Sequence, residues 1–223
     1  MSSSSKFPFT NIILMLAAIS VIVAAFFLTK HDNKPLRLLP IFGPAEYNTT
    51  TKDTDYHTVM NFKFTSEQGH IITLDSFKHK VFVANFFYAT CPGICKKMNW
   101  QLERANKAFA GNPYVKFISY TVDPVHDTVQ VLAEYAKLHD AVPYQWYFLT
   151  GDKNEIYELA RKSYYVAASD SGQGNFVHTD NMVLIDTAGH MRGIYKGTDT
   201  ADVSRMVVEI NLLLREEGLS KKQ

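Results

Sequence analysis

At 223 residues the chain has room for one ordinary domain and a short extra segment, and hardly for two full domains. Apolar residues make up 46% and charged residues 20%, a globular balance that argues against disorder. The 23 basic and 22 acidic side chains nearly cancel. Nothing in the chain suggests the clustered basic face that a nucleic-acid binder needs, and it carries no phosphate-binding loop, dinucleotide fingerprint or internal repeat.

From Phe7 to Thr29 the chain runs 23 residues without a charge. At about 1.5 Å per residue such a helix nearly crosses a hydrocarbon core of about 30 Å, so residues 1–30 are expected to be a single transmembrane anchor. The alternative is a cleaved signal peptide. Against it, the stretch ends in Ala-Ala-Phe-Phe-Leu-Thr-Lys with no small-x-small cleavage site, and no cysteine lies nearby to carry a lipid. Lys6 stands on one side of the stretch and Lys30, Lys34 and Arg37 on the other, so the positive-inside rule does not orient it. Residues 31–55, with Pro35, Pro40, Gly43-Pro44 and a polar run from Asn48 to Asp53, read as a linker.

The remaining 56–218 alternates strands and helices. Phe62–Thr65 and Ile71–Leu74 form a hairpin around Gly69, and Val81–Tyr88 is a buried-type strand. A helix follows from about Pro92 to Phe109, with Ile94, Met98, Leu102, Ala105 and Phe109 on one face. Val115–Val122 is the next strand, and Asp127 is placed as the N-cap of the helix after it. Trp146–Leu149 is a short strand, a helix runs from Asp152 toward Arg161, and 167–176 is a loop rich in Ser, Gly, Asp and Asn. A second hairpin, Met182–Ile185 with Met191–Tyr195, precedes a last helix from about Asp199 to Arg215. This order implies an α/β fold: a thioredoxin-like mixed sheet flanked by helices, with an extra N-terminal β-hairpin.

The two cysteines, Cys91 and Cys95, stand where the buried strand gives way to a helix. A helix N-terminus carries unpaired N–H groups and partial positive charge, which favours a thiolate. Three readings are open: a structural Cys91–Cys95 disulfide, a redox dithiol, and a clamp on a soft metal ion that needs at least one more ligand. A disulfide here would close a short loop and remove little chain entropy. Among eight histidines, His31 lies beside the expected membrane segment, while His57, His70, His79, His126, His139 and His190 read as turn or surface residues. His178 ends the glycine-rich loop and precedes the strand beginning at Asn181.

Phe86-Phe87-Tyr88-Ala89-Thr90-Cys91-Pro92-Gly93-Ile94-Cys95 resembles the strand-to-helix signature of the Sco/SenC family. Thr121-Val122-Asp123-Pro124-Val125-His126-Asp127-Thr128 is similar to that family's Val-Asp-Pro-x-x-Asp-Thr segment, and Trp146–Gly151 to its Trp-x-x-Leu-Thr-Gly strand. The resemblance spans about Phe62 to Leu214. It implies a copper site, Cu(I) or Cu(II), built from Cys91, Cys95 and His178, with zinc an alternative that the ligands alone leave open. Asp123 is read as a hydrogen-bond or salt-bridge partner that orders the loop rather than as a ligand, and Met98 as core rather than an axial thioether. The resemblance further implies a metallochaperone that delivers copper to the copper-site subunit of a respiratory oxidase, or to another copper or thiol protein. It would be held on the extracytoplasmic, periplasmic side of a bacterial cell membrane. The rival expectation is an enzyme, a membrane-anchored thiol–disulfide oxidoreductase that keeps client cysteines reduced. One departure stands out: Lys96 follows the second cysteine where the family usually has proline. Its charge is expected to favour the Cys95 thiolate and to bear on the choice of partner.

Overall fold

The computed structural model describes residues 14–21, 38–166 and 179–220. The chain divides into two units, Met1–Leu36 and Arg37–Gln223. In the first, residues 14–21 are helical (α1) and exposed. The expected anchor over 1–30 lies mostly outside the described residues. Among the described residues no helix is long and apolar enough to cross a membrane.

The second unit begins with a two-stranded antiparallel sheet, β1 (Ala45–Asn48) and β2 (Asp53–Tyr56), paired Ala45 to Tyr56 and Asn48 to Asp53. This stretch was expected to be linker. Its strands are largely exposed and show no apolar alternation, so backbone pairing rather than burial defines them. Ahead of them, Leu39 is buried, and Phe42 N–H donates to the Met191 carbonyl at 2.8 Å.

The main sheet has seven strands in the order β4-β3-β7-β6-β5-β8-β9. These are β3 (Lys63–Ser66), β4 (Ile71–Thr73), β5 (Val81–Phe87), β6 (Val115–Thr121), β7 (Trp146–Thr150), β8 (Asn181–Ile185) and β9 (Met191–Lys196). β5, β6 and β7 run parallel, and the hairpins β3–β4 and β8–β9 add antiparallel strands on either side. All seven residues of β5 are buried, as a central strand covered on both faces requires. The helices are α2 (Ile94–Ala108), α3 (Val129–Leu138), α4 (Lys153–Ser163) and α5 (Thr200–Glu216).

Alternation along β5 and β6 sorts the side chains onto two faces. Asn85, Phe87 and Ser119 meet α2 and α3 through Asn99 and Tyr135, while Phe86 and Tyr120 meet Tyr164 at the end of α4. α5 lies beside α2, where Gln101 donates to Thr200 at 2.6 Å and Arg104 to Ser204 at 3.2 Å. The mixed, helix-flanked sheet is as expected. The N-cap of α3 is not: Thr128 caps it, its side chain accepting the Val131 N–H, because Asp127 is fully buried and engaged elsewhere.

The far end of the sheet is closed by a buried arginine. Arg192 on β9 is 5% exposed and pairs with Asp186 at 3.1 Å and with Glu216 of α5. It also donates to the Leu39 carbonyl at 2.7 Å and the Pro40 carbonyl at 3.3 Å, and Glu216 accepts the Leu39 N–H at 3.3 Å. Each polar group in the cluster is thereby satisfied, which a buried charge requires.

Candidate metal centre

β5 delivers the chain to a turn in which Cys91 N–H donates to the Tyr88 carbonyl at 3.2 Å. Pro92 and Gly93 follow, and Gly93 is the N-cap of α2. It has no side chain with which to accept the helix's first N–H groups. The Cys91 sulfur takes that place: Cys95 N–H, in the first turn, points to Cys91 Sγ at 3.4 Å. Both cysteines are free thiols and both are buried, at 2% and 4% exposure. The spacing therefore does what was expected of it, placing one sulfur just before the helix and the other within its first turn.

The two sulfurs are unequal acids. Burial works to raise Cys91, but hydrogen bonds from the Cys95 thiol, the Gly93 and Cys95 backbone N–H groups and the Tyr88 hydroxyl outweigh it, and its pKa falls below the ordinary thiol value. Burial pushes Cys95 up to about 12, and donating its proton to Cys91 adds to that. Lys96, the next residue, is exposed. Burial and the neighbouring Cys91 push the Tyr88 phenol up to about 12.

Behind the pair lies a polar network within the core. Ser119 donates to Asn85 at 2.6 Å, Asn85 to Asn99 at 3.3 Å, Asn99 to Tyr135 at 2.9 Å, and Trp146 to Ser119 at 2.9 Å. Asn99 sits one turn beyond Cys95, so the network ties α2 to three strands and to α3 directly beneath the site. Met98 is fully buried and accepts from Asn85 at 3.8 Å, a core residue as expected.

Asp127 is the supporting residue that sequence reasoning misplaced. Its carboxylate accepts the Ala89 N–H at 2.9 Å, the Thr121 hydroxyl at 2.5 Å and a contact from His126 Nδ1 at 2.9 Å. It thereby fastens the cysteine loop to the end of β6. The Asp-Pro-x-x-Asp-Thr segment was the signal available for it. Asp123 is half-buried, with its N–H on Thr121 at 3.0 Å and its carbonyl accepting from His126 and Asp127. These contacts are made by its backbone.

His178 lies outside the described residues, which resume at Thr179. Asp180 accepts the Gly197 N–H at 2.6 Å, and a Cβ on Gly197 would lie 2.7 Å from Met98 Cγ, three positions after Cys95. β8 pairs antiparallel with β5, Met182 opposite Asn85, so its first residues stand at the end of β5 from which the cysteine loop departs. Among the described residues no group of three or more His, Cys, Asp or Glu side chains is placed to hold a metal. Of the other histidines, His139 is 1% exposed between Tyr135 and Trp146, contrary to its expected surface position. His57 and His190 are half-buried, on the Ser163 carbonyl at 3.1 Å and on Asp186 at 3.2 Å.

Two soft sulfur donors converge at the junction of a central strand and a helix, on a mixed sheet flanked by helices. They define a thioredoxin-like protein suited to soft-metal or thiol chemistry. The chain belongs to the SCO1/SenC family, whose model matches residues 50–214. It is 28% identical over 162 residues to the SCO1 protein homolog of Bacillus subtilis, covering 71% of this chain and 84% of that one. The structure of BsSco, described as a member of the Sco family of cytochrome c oxidase assembly proteins with a disulfide switch, superposes with a TM-score of 0.62 at 27% identity. That match covers 70% of this chain and 93% of the other. Bradyrhizobium japonicum ScoI, solved with copper bound, shares the fold at a TM-score of 0.59 and 23% identity, over 70% of this chain and 99% of its own.

Proposed function

We propose that the protein is a copper metallochaperone acting in the assembly of a respiratory oxidase, with Cys91, Cys95 and His178 as its copper ligands. The observation that carries the reading is the convergence of two unequal thiols at the start of α2, with the first residues of β8 beside them. Asp180 accepts from Gly197, which abuts Met98 of the cysteine helix, and His178 stands two positions before Asp180 in the chain. Two thiolates and an imidazole suit Cu(I), and also Cu(II), which stands at the top of the divalent affinity order. Copper is cargo here, passed by ligand exchange to a client's cysteine. Residues 1–30 anchor the domain to a bacterial cell membrane, with 56–218 on the extracytoplasmic side, and Asp123 holds the loop beside the site.

Copper titration of the purified protein and of its Cys91→Ala, Cys95→Ala and His178→Ala variants tests this reading. Affinity is expected to fall in all three. Undiminished affinity in any one removes that residue from the site.

A specific observation also favours thiol chemistry: one cysteine lowered in pKa beside one that keeps its proton is the arrangement of an attacking and a resolving thiol. In that reading the protein is a thiol–disulfide oxidoreductase that cycles a Cys91–Cys95 disulfide and has no need of His178. A reductase assay separates the two. Full activity in metal-free His178→Ala protein would favour the oxidoreductase.

A further inference from the structure

We propose that the outer face of α2 beside the cysteines, Trp100 with Lys96 and Lys97 one turn before it, is a docking surface for an acidic protein face, that of the client receiving copper. The inference deepens the chaperone reading and rests on it.

Both cysteines are buried, so a client's sulfur must approach through the turn that covers them, where Pro92 and Gly93 are exposed. A partner seated over that turn also meets the outer face of α2. Lys96, Lys97 and Trp100 are exposed there, while Cys95, Met98 and Asn99 of the same turns face inward and are buried. Spacings of four and three residues bring the two lysines alongside the indole.

The fold does not account for either lysine. Among the described residues no carboxylate pairs with them, whereas Lys107, farther along the helix, is held by Glu103 at 2.7 Å and Asp140 at 3.1 Å. They also stand at the wrong end of the helix, since a helix start carries partial positive charge and favours acids. α4 and α5 follow that rule, with Asp152 and Asp199 as N-caps and Glu155 and Asp202 in their first turns. α2 has no acid in its first turn and no capping side chain. Trp100 is 62% exposed, whereas Trp146, the other tryptophan, is fully buried and donates to Ser119 at 2.9 Å. An indole left in water gains its contact area from a partner, and an aromatic anchor beside charges that steer the encounter is how an interface is built. Two ammonium groups without carboxylates of their own select a partner that supplies them. An anionic lipid surface has the same sign, but seated here it would seal the turn through which the sulfurs are reached. The occupant is therefore a protein.

The test labels the full chain in detergent with fluorotryptophan, which gives one fluorine NMR resonance for each of the two tryptophans. The probe is the purified, reduced copper-site subunit of the same organism's respiratory oxidase. Adding it to metal-free protein is expected to move the Trp100 resonance and leave that of Trp146 in place. Trp100→Ala, and Lys96→Glu together with Lys97→Glu, should each weaken binding about tenfold. At about 0.5 M salt the effect of the charge reversal should shrink and that of Trp100→Ala persist. Carboxylates suit a helix start, so the charge-reversed chain should melt no lower than wild type, which separates lost docking from lost fold. Copper transfer from loaded protein to the subunit is followed in parallel. Transfer by wild type with an unmoved Trp100 resonance, and at the same rate in the variants, overturns the docking surface and leaves the chaperone reading standing. No transfer from wild type overturns the chaperone reading and this inference with it. A Trp100 shift in phosphatidylglycerol nanodiscs but not in phosphatidylcholine ones, without the subunit, assigns the face to lipid and overturns the inference as well.

Discussion

Cys91 and Cys95 differ because one sulfur collects hydrogen-bond donors and the other supplies one. A small alkylating reagent followed by peptide mass mapping should therefore modify Cys91 first, with a midpoint below that of an ordinary thiol, and leave Cys95 intact well above it. The same asymmetry carries a stability signature in the reduced protein. Cys91 has its folded pKa lowered, so its contribution is complete above the unfolded value and is lost as pH falls through the folded one. Cys95 has its folded pKa raised, so its contribution is present below the unfolded value and is lost as pH rises toward about 12. Denaturant titrations of reduced wild type and Cys91→Ala across this range should differ in the first limb and, through the lost Cys95–Cys91 hydrogen bond, by a smaller amount in the second. Asp127 is the neighbour whose loss should be felt most. Asp127→Ala strands the Ala89 N–H and the Thr121 hydroxyl in a buried site, at a cost of about 3 kcal/mol in urea unfolding.

At the scale of elements, α3 depends on its cap and on an uncharged histidine. Thr128→Ala should cost about 1 kcal/mol, and Asp127→Ala should exceed it, since the acid is a fastening for the loop rather than the cap. His139 lies between Tyr135 and Trp146 with Glu103 3.9 Å from its Nδ1, and burial lowers its pKa. Its folded value lies below the unfolded one, so the stability it confers is full above about pH 6.5 and drains away as pH falls through the folded value. His139→Phe should flatten that slope in a pH series of melts. These cases mark where sequence is legible. β5, β6 and α2 declare themselves by runs of buried residues and by helical periodicity, and the cysteine spacing announces the helix start. β1 and β2 carry no such pattern, because their pairing is backbone to backbone across polar side chains. Asp127 is read as a helix N-cap and His139 as a surface residue because what buries them is the packing of distant segments, which no local window contains. His178 owes its place in the expected trio to four ordered segments of resemblance, not to its own surroundings.

At the scale of the whole domain, the Arg192 cluster joins Leu39 and Pro40 to β9 and α5. Arg192→Ala removes the partner of Asp186 and Glu216 and frees the Leu39 and Pro40 carbonyls. It should cost about 3–5 kcal/mol in denaturant unfolding and bring protease cleavage to the segment around residue 40. Arg192→Lys should recover only part of this, since an ammonium cannot reproduce the fork that reaches four partners. The cluster also sets the length of the leash. Residues 38–56 are nineteen positions that, fully extended, would add roughly 65 Å of reach; docked and paired, they add almost none. Any tether attached ahead of residue 38 thus gains no reach from these nineteen positions, and a shorter tether raises the effective concentration toward a partner on the same surface without any added affinity.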